Sequence, residues 1–104
     1  MSEPRPFRDV KLQWMQLLVC DPEINDAAKC IAMYIATAYL GGDSETAWPS
    51  YKTIADATGK GVKTVQRAIA LLAKDDRWFT VIHGSGLRHS TRYTPSEKSS
   101  DRAR

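Results

Sequence analysis

The sequence predicts a mainly α-helical domain with one small β-hairpin, an α+β fold class, and three observations support this. Apolar residues recur at helical spacing in four segments between Phe7 and Lys74. Aromatic and β-branched residues then cluster from Trp78 to Ile82, just before the glycine-containing turn at residues 84–86. The length of 104 residues and the apolar fraction of 42% are typical of one globular domain.

The first helix is predicted over residues 7–20. It ends where Asp21 precedes Pro22, because the residue before a proline avoids the α-helical conformation. Its apolar residues need burial, either against the body of the domain or against a second subunit in a homodimer. The residues concerned in such a dimer are Trp14, Leu17 and Leu18.

The ends of the chain are predicted to lie outside the single domain of residues 7–94. Residues 1–6 contain two prolines and are interpreted as a flexible arm. After Pro95 no large apolar side chain occurs. The last segment, residues 95–104, is therefore predicted to be a disordered tail.

The middle of the chain contains three further helices with clear boundaries. Asn25 or Asp26 can cap a second helix, whose apolar stripe continues to Tyr39. Ser50 can cap a third, short helix over residues 51–58. The turn Gly59-Lys60-Gly61 then leads into a fourth helix over residues 62–74.

The segment after the fourth helix predicts a hairpin. Asp75-Asp76 breaks the helix, residues 77–83 form one strand, and residues 87–94 contain the returning strand. Thr46-Ala47-Trp48 is interpreted as a further short strand. A short helix, a tight turn, a second helix and a following hairpin form the pattern of a winged helix-turn-helix, here with an additional N-terminal helix.

Charge is distributed unevenly along the chain. Residues 1–51 carry seven acidic and four basic side chains, whereas residues 52–92 carry eight basic and three acidic ones. No acidic residue occurs between Asp56 and Asp75. The basic second half, with the hairpin at 77–94 as its wing, is therefore expected to face a polyanion such as double-stranded DNA.

The fourth helix is predicted to be the recognition helix, because the major groove of DNA admits one α-helix. Its apolar positions face inward and leave polar side chains outside; Arg and Gln there can pair with guanine and adenine. The predicted base contacts are Lys63, Thr64, Gln66 and Arg67. The predicted phosphate contacts are Ser50, Lys52, Lys60, Lys74, Arg88, His89 and Arg92.

Residues 47–72 resemble the winged helix-turn-helix domains of bacterial, phage and plasmid replication proteins and small regulators. The segments that carry the resemblance are Trp48-Pro49-Ser50, Thr53-Ile54-Ala55, Thr58-Gly59 and the run from Thr64 to Ile69. The resemblance implies a DNA-binding winged helix. It leaves the biological role open among transcriptional regulation, replication and recombination.

Other functional classes receive less support from the sequence. Ser85, His83 and His89 lie in or near the hairpin turn, without a positioned general base, so no enzymatic activity and no small-molecule substrate are expected. Cys20 and Cys30 are spaced unlike zinc ligands and are expected to pack as small hydrophobic residues, so no metal or other cofactor is predicted.

The expected location is the cytoplasm, with association with the nucleoid when DNA is bound, because neither an export signal nor a membrane span is evident. Trp48, Trp78 and Phe79 are expected in the core rather than stacked on bases. The alternative function is a protein–protein interaction module built on a winged-helix scaffold.

Overall fold

Capping residues and chain breakers determine where the first two helices begin and end. The computed structural model describes residues 6–40, 46–83 and 91–104. Helix α1 covers Phe7–Val19 and helix α2 covers Asp26–Tyr39. The side chain of Asn25 accepts a hydrogen bond of 2.9 Å from the backbone N–H of Ala28, which confirms the predicted cap of α2.

The remaining elements follow the predicted order. Helix α3 covers Tyr51–Thr58 and helix α4 covers Val62–Ala73. A 3₁₀ turn at Lys74–Asp76 leads into strand β1, Phe79–Ile82, which pairs antiparallel with strand β2, Arg92–Pro95. Helices predominate and the strands form one hairpin, so the α+β winged helix-turn-helix fold is confirmed.

The break after α4 has a specific backbone cause. Asp75 and Asp76 both adopt positive φ angles, 55° and 52°, where an α-helix cannot continue. Asp is among the few non-glycine residues that tolerate this region. The two residues therefore turn the chain from α4 into β1.

Helix α2 lies at the centre of the fold and packs against α1, α3 and α4. The core also contains an aromatic cluster around Trp14, whose ring lies 5.3 Å from that of Phe7, 5.7 Å from that of Trp78 and 5.5 Å from that of Phe79. These rings meet edge to face, the geometry that aromatic quadrupoles favour. The expected burial of Trp78 and Phe79 is confirmed.

The prediction of a disordered tail over residues 95–104 is wrong. Pro95 ends β2, and Glu97–Ala103 forms a further helix, α5, capped by the side chain of Ser96. Helix α5 packs on α1 and buries Ser99, Ser100 and Ala103. Its buried face consists of small residues, so the segment lacks the large apolar side chains that usually indicate a packed helix. The predicted arm lies, except for Pro6, outside the described residues.

Burial also changes the interpretation of two sets of residues. Trp14 and Leu18 are fully buried within the chain and Leu17 is partly buried, so Trp14 and Leu18 are not available to a second subunit. Cys20 and Cys30 are exposed free thiols, contrary to expectation. Cys20 follows the last residue of α1, and Cys30 lies on the solvent side of α2.

Candidate nucleic-acid interface

The turn between α3 and α4 is formed by residues with strong local backbone preferences. Ser50 begins α3, and its hydroxyl accepts a hydrogen bond of 3.0 Å from the backbone N–H of Thr53. Gly59 ends α3 with a φ of 71°, a left-handed conformation that glycine adopts without strain. The N–H of Lys60 bonds to the carbonyl of Ala55, and Gly61 then begins α4 without a side-chain cap.

Helix α4 has one buried and one open side. Val65, Ala68, Ile69 and Leu72 are buried against the body of the domain. Among the predicted base contacts, Lys63, Gln66 and Arg67 are exposed, whereas Thr64 is half-buried at the edge of the open side. At about 100° per residue, Lys63, Gln66 and Arg67 share one side of the helix.

The cations on this open side have no carboxylate partner among the described residues. Within the part of the chain that the structure describes, no ion pair involves Lys63, Arg67 or Lys74. Lys52 on α3 differs, because its ammonium lies 3.0 Å from the carboxylate of Asp56 one helical turn away. The charge of Lys52 is therefore partly neutralised, whereas those of Lys63 and Arg67 are not neutralised by any described residue.

The structure places the predicted phosphate contacts in several environments. Ser50 and Lys52 are exposed at the start of α3, and Lys60 is half-buried in the turn. Arg92 is exposed on β2 and, like the cations of α4, has no ion pair with any described residue. Arg88 and His89 lie outside the described residues.

Lys74 lies at the far end of α4 and contributes to a separate cleft. This cleft has a volume of about 240 Å³ and is lined by residues from the loop before α2, the end of α4, the 3₁₀ turn with the residue after it, and α5. The lining residues are Glu23, Leu71, Lys74, Asp75, Arg77, Lys98 and Arg102. Two carboxylates thus accompany the four cations, unlike on the open side of α4.

The hairpin extends to a third chain segment. Ala47 forms an isolated antiparallel bridge to Tyr93, with two backbone hydrogen bonds of 2.9 Å. The predicted strand at Thr46-Ala47-Trp48 is therefore present as a single bridge. Trp48 is 53% exposed and does not join the core as expected, because it follows a buried alanine and points to the opposite side.

A partly buried ion pair that sequence reasoning missed anchors the start of the hairpin to the loop after α1. The Asp21 carboxylate accepts hydrogen bonds from Nε of Arg77 at 2.6 Å, from Nη2 of Arg77 at 2.8 Å and from Nε1 of Trp78 at 2.7 Å. The bonds from Arg77, helped by the backbone N–H of Glu23 and by Trp78, hold the pKa of Asp21 well below its usual range. Arg77 is therefore occupied within the fold.

The described residues form neither a metal-binding cluster nor a helix able to span a membrane. Within the described ranges, no group of three or more His, Cys, Asp or Glu side chains is arranged to hold a metal ion. None of the described helices has the length and apolar character to cross a bilayer.

Comparison with known proteins adds one match. A family model described as a helix-turn-helix domain matches residues 23–75, from the loop before α2 to the 3₁₀ turn, which is just over half of the chain. Neither the curated proteins nor the solved structures contain a match to this chain.

Proposed function

We propose that this chain, which belongs to the helix-turn-helix domain family, binds double-stranded DNA in a sequence-dependent manner. Membership of the family indicates DNA binding. The observation that carries the finer proposal is the open side of α4, where Lys63, Gln66 and Arg67 are exposed and both cations lack carboxylate partners among the described residues. A major groove about 12 Å wide admits one such helix.

In the proposed complex, α4 lies in the major groove and presents two side chains that can distinguish bases. The guanidinium of Arg67 can donate two hydrogen bonds to guanine, and the amide of Gln66 can bond to both edge groups of adenine. Lys63 lies one turn before Arg67 and adds a third base contact. Thr64 is half-buried, so it can reach a base only from the edge of the open side.

Phosphate contacts position the helix in the groove. Ser50 and Lys52 lie at the start of α3, Lys60 in the turn and Arg92 on the wing, so the proposed contacts come from three elements around α4. Lys74 extends this set at the far end of the helix. These contacts carry no sequence information, but they determine how the protein is oriented on the duplex.

A titration of labelled duplexes at several salt concentrations tests the proposal. About four to six phosphate contacts predict a log–log salt slope of about −4 to −5 per protomer. Selection of bound sequences from a random duplex pool should yield a preferred motif. A slope near zero, or no enrichment at all, would contradict sequence-dependent DNA binding.

Two variants separate base contacts from phosphate contacts. Arg67→Ala should reduce discrimination between the selected site and random duplex by about 1–3 kcal/mol. Lys98→Ala removes an exposed cation from α5, outside the helix-turn-helix, and serves as the control, with discrimination unchanged. If Arg67→Ala reduced the affinity for both duplexes equally, this residue would contact phosphate only.

We propose that the role of this binding is transcriptional regulation or assistance in replication or recombination, since residues 47–72 resemble the winged helix-turn-helix domains of replication proteins and small regulators. The symmetry of the selected motif reports how many copies bind one site. An inverted repeat indicates two copies on one site, whereas a single half-site indicates a monomer.

A protein-interaction module remains the second candidate, and one observation favours it. Leu12 and Val19, seven residues apart on α1, are 75% and 45% exposed. Such apolar side chains on one side of a helix suit a protein partner. In this case Leu12→Asp should abolish partner binding and leave the DNA titration unchanged.

A further inference from the structure

The outer face of the wing contains a row of three side chains from three chain segments. Ala47 pairs with Tyr93, and Tyr93 pairs with Val81, so these three residues form one row across the sheet, directed to the core. One residue further along, the antiparallel register brings Trp48 level with Arg92, which pairs with Ile82. Successive side chains alternate between faces, so this second row is directed outward.

This outward row exposes two large apolar side chains. Trp48 is 53% exposed and Ile82 is 51% exposed, whereas the other two tryptophans, Trp14 and Trp78, are completely buried. Arg92 lies between the two apolar side chains, and no described carboxylate pairs with it. Single exposed apolar residues are common on proteins, but here two large ones flank a cation that has no described carboxylate partner.

We infer that Trp48, Arg92 and Ile82 form a docking strip for the sugar–phosphate backbone of duplex DNA. Arg92 would pair with a phosphate, while the indole of Trp48 and the side chain of Ile82 would pack on the neighbouring deoxyriboses, the apolar part of the backbone. This inference rests on the proposed function. It adds an apolar contact surface that the charged residues alone do not provide.

The dimensions and position of the strip favour the backbone over a groove. Two interstrand spacings make the row about 10 Å wide, which exceeds the minor-groove width of about 6 Å. Trp48 also lies two residues before Ser50, so the strip is close in sequence to a proposed phosphate contact at the start of α3. Duplex bases remain stacked on each other, which leaves sugars as the apolar surface that Trp48 can reach.

Tryptophan fluorescence tests this directly in the wild-type protein, because Trp48 is the exposed tryptophan and the other two are buried. Acrylamide should therefore quench Trp48 in the free protein. Saturation with duplex DNA should reduce the quenching constant by about half, since the indole loses roughly half of its contact with solvent on docking. Unchanged quenching in a saturated complex would overturn the inference.

The salt dependence of variants distinguishes the apolar contact from the ionic one. Trp48→Ala should weaken binding to all duplexes by about tenfold, the factor expected for losing roughly 50 Å² of apolar contact. Its salt slope should not change, because an apolar contact releases no counterions. Arg92→Ala should instead lower the slope by about one. Trp48→Phe should recover part of the affinity.

The control is Leu12→Ala, which removes an exposed apolar side chain from α1 and should leave affinity unchanged. Near-ultraviolet circular dichroism checks that each variant remains folded. Salt-dependent binding with no effect of Trp48→Ala overturns the strip and leaves the proposed function intact. No binding by the wild type overturns both. Tighter binding to single strands than to duplexes would indicate base stacking on Trp48 and would also overturn the strip.

Discussion

The basic side chains of α4 and those around α5 have opposite environments, although their residue types are the same. Arg77 is held by two hydrogen bonds to the buried carboxylate of Asp21, and the guanidinium of Arg102 lies 4.7 Å from the centre of the Trp78 ring. Arg67 and Lys63 on α4 have no such partners among the described residues. The partner therefore decides whether a cation stabilises the fold or remains available to a ligand.

The α1–α5 side is held together by polar groups that are buried and satisfied. Ser99 accepts a hydrogen bond of 2.8 Å from Nε1 of Trp14, and its hydroxyl lies 3.0 Å from the carbonyl oxygen of Trp78. Loss of one member leaves another without a partner in a dry environment, which is costly. On the open side of α4, water can replace any lost contact. Substitutions on the two sides should therefore affect different properties.

The largest effect is expected for Asp21→Asn. Removal of the carboxylate leaves Arg77 without its counterion and should lower the free energy of unfolding by about 3 kcal/mol. This value is the lower end of the range for breaking a buried ion pair, because Arg77 is partly exposed. Urea denaturation at pH 7 measures this. Glu23→Gln is the control, and an equal loss there would contradict a specific role for Asp21.

The same carboxylate should make wild-type stability depend on pH. Its folded pKa lies below the unfolded value of about 3.9, so its contribution is fully present above about pH 4–5 and is lost as the pH falls. Melting temperatures between pH 7 and pH 2 should show this decline. Asp21→Asn should decline less steeply, and parallel curves would refute the assignment to Asp21.

A smaller loss of stability is expected for Ser99→Ala. The indole N–H of Trp14 would lose its buried acceptor, which costs about 1–3 kcal/mol. The carbonyl of Trp78 would keep its bond from the backbone N–H of Ser96. Thermal melting measures the change. Ser100→Ala, on the same helix but outside this network, should have less effect; a larger effect there would argue against the network.

A loss of about 1 kcal/mol is expected for Gly59→Ala in the turn before α4. The φ of 71° disfavours any residue with a Cβ, although no atom would clash with it. Gly61→Ser is the control, because Gly61 caps α4 at an ordinary negative φ, where serine is a favoured residue. Chemical denaturation of the pair should show a loss for the Gly59 variant alone, and similar losses in both would contradict this account.

The smallest effect on stability is expected for Arg67→Ala, within about 0.5 kcal/mol. Its side chain is exposed and lacks an ion pair among the described residues, so nothing is left unsatisfied. The same protein should nevertheless lose DNA discrimination, as proposed above. A substantial drop in melting temperature would show that Arg67 supports the fold, and the contrast between the two sides would then fail.

The sequence alone was sufficient for α2, α3, the turn and α4, because their signals are local. The cap at Asn25, the cap at Ser50 and the left-handed Gly59 each act within a few residues of the backbone that they fix. The apolar stripe of α4 also correctly predicted which side is open. Of the candidate site, this determined the elements and the exposure of Lys63, Gln66 and Arg67.

Tertiary contacts determined the features of the fold that local sequence signals do not specify. Helix α5 has seven residues, too few to be stable alone, and exists because small buried side chains fit against α1. Asp21 and Arg77 are separated by 56 positions, so no local sequence pattern predicts their pairing. Trp48 looks like a core residue in sequence, but the bridge at Ala47 directs it outward. In each case a distant partner, absent from the local sequence, determines the outcome.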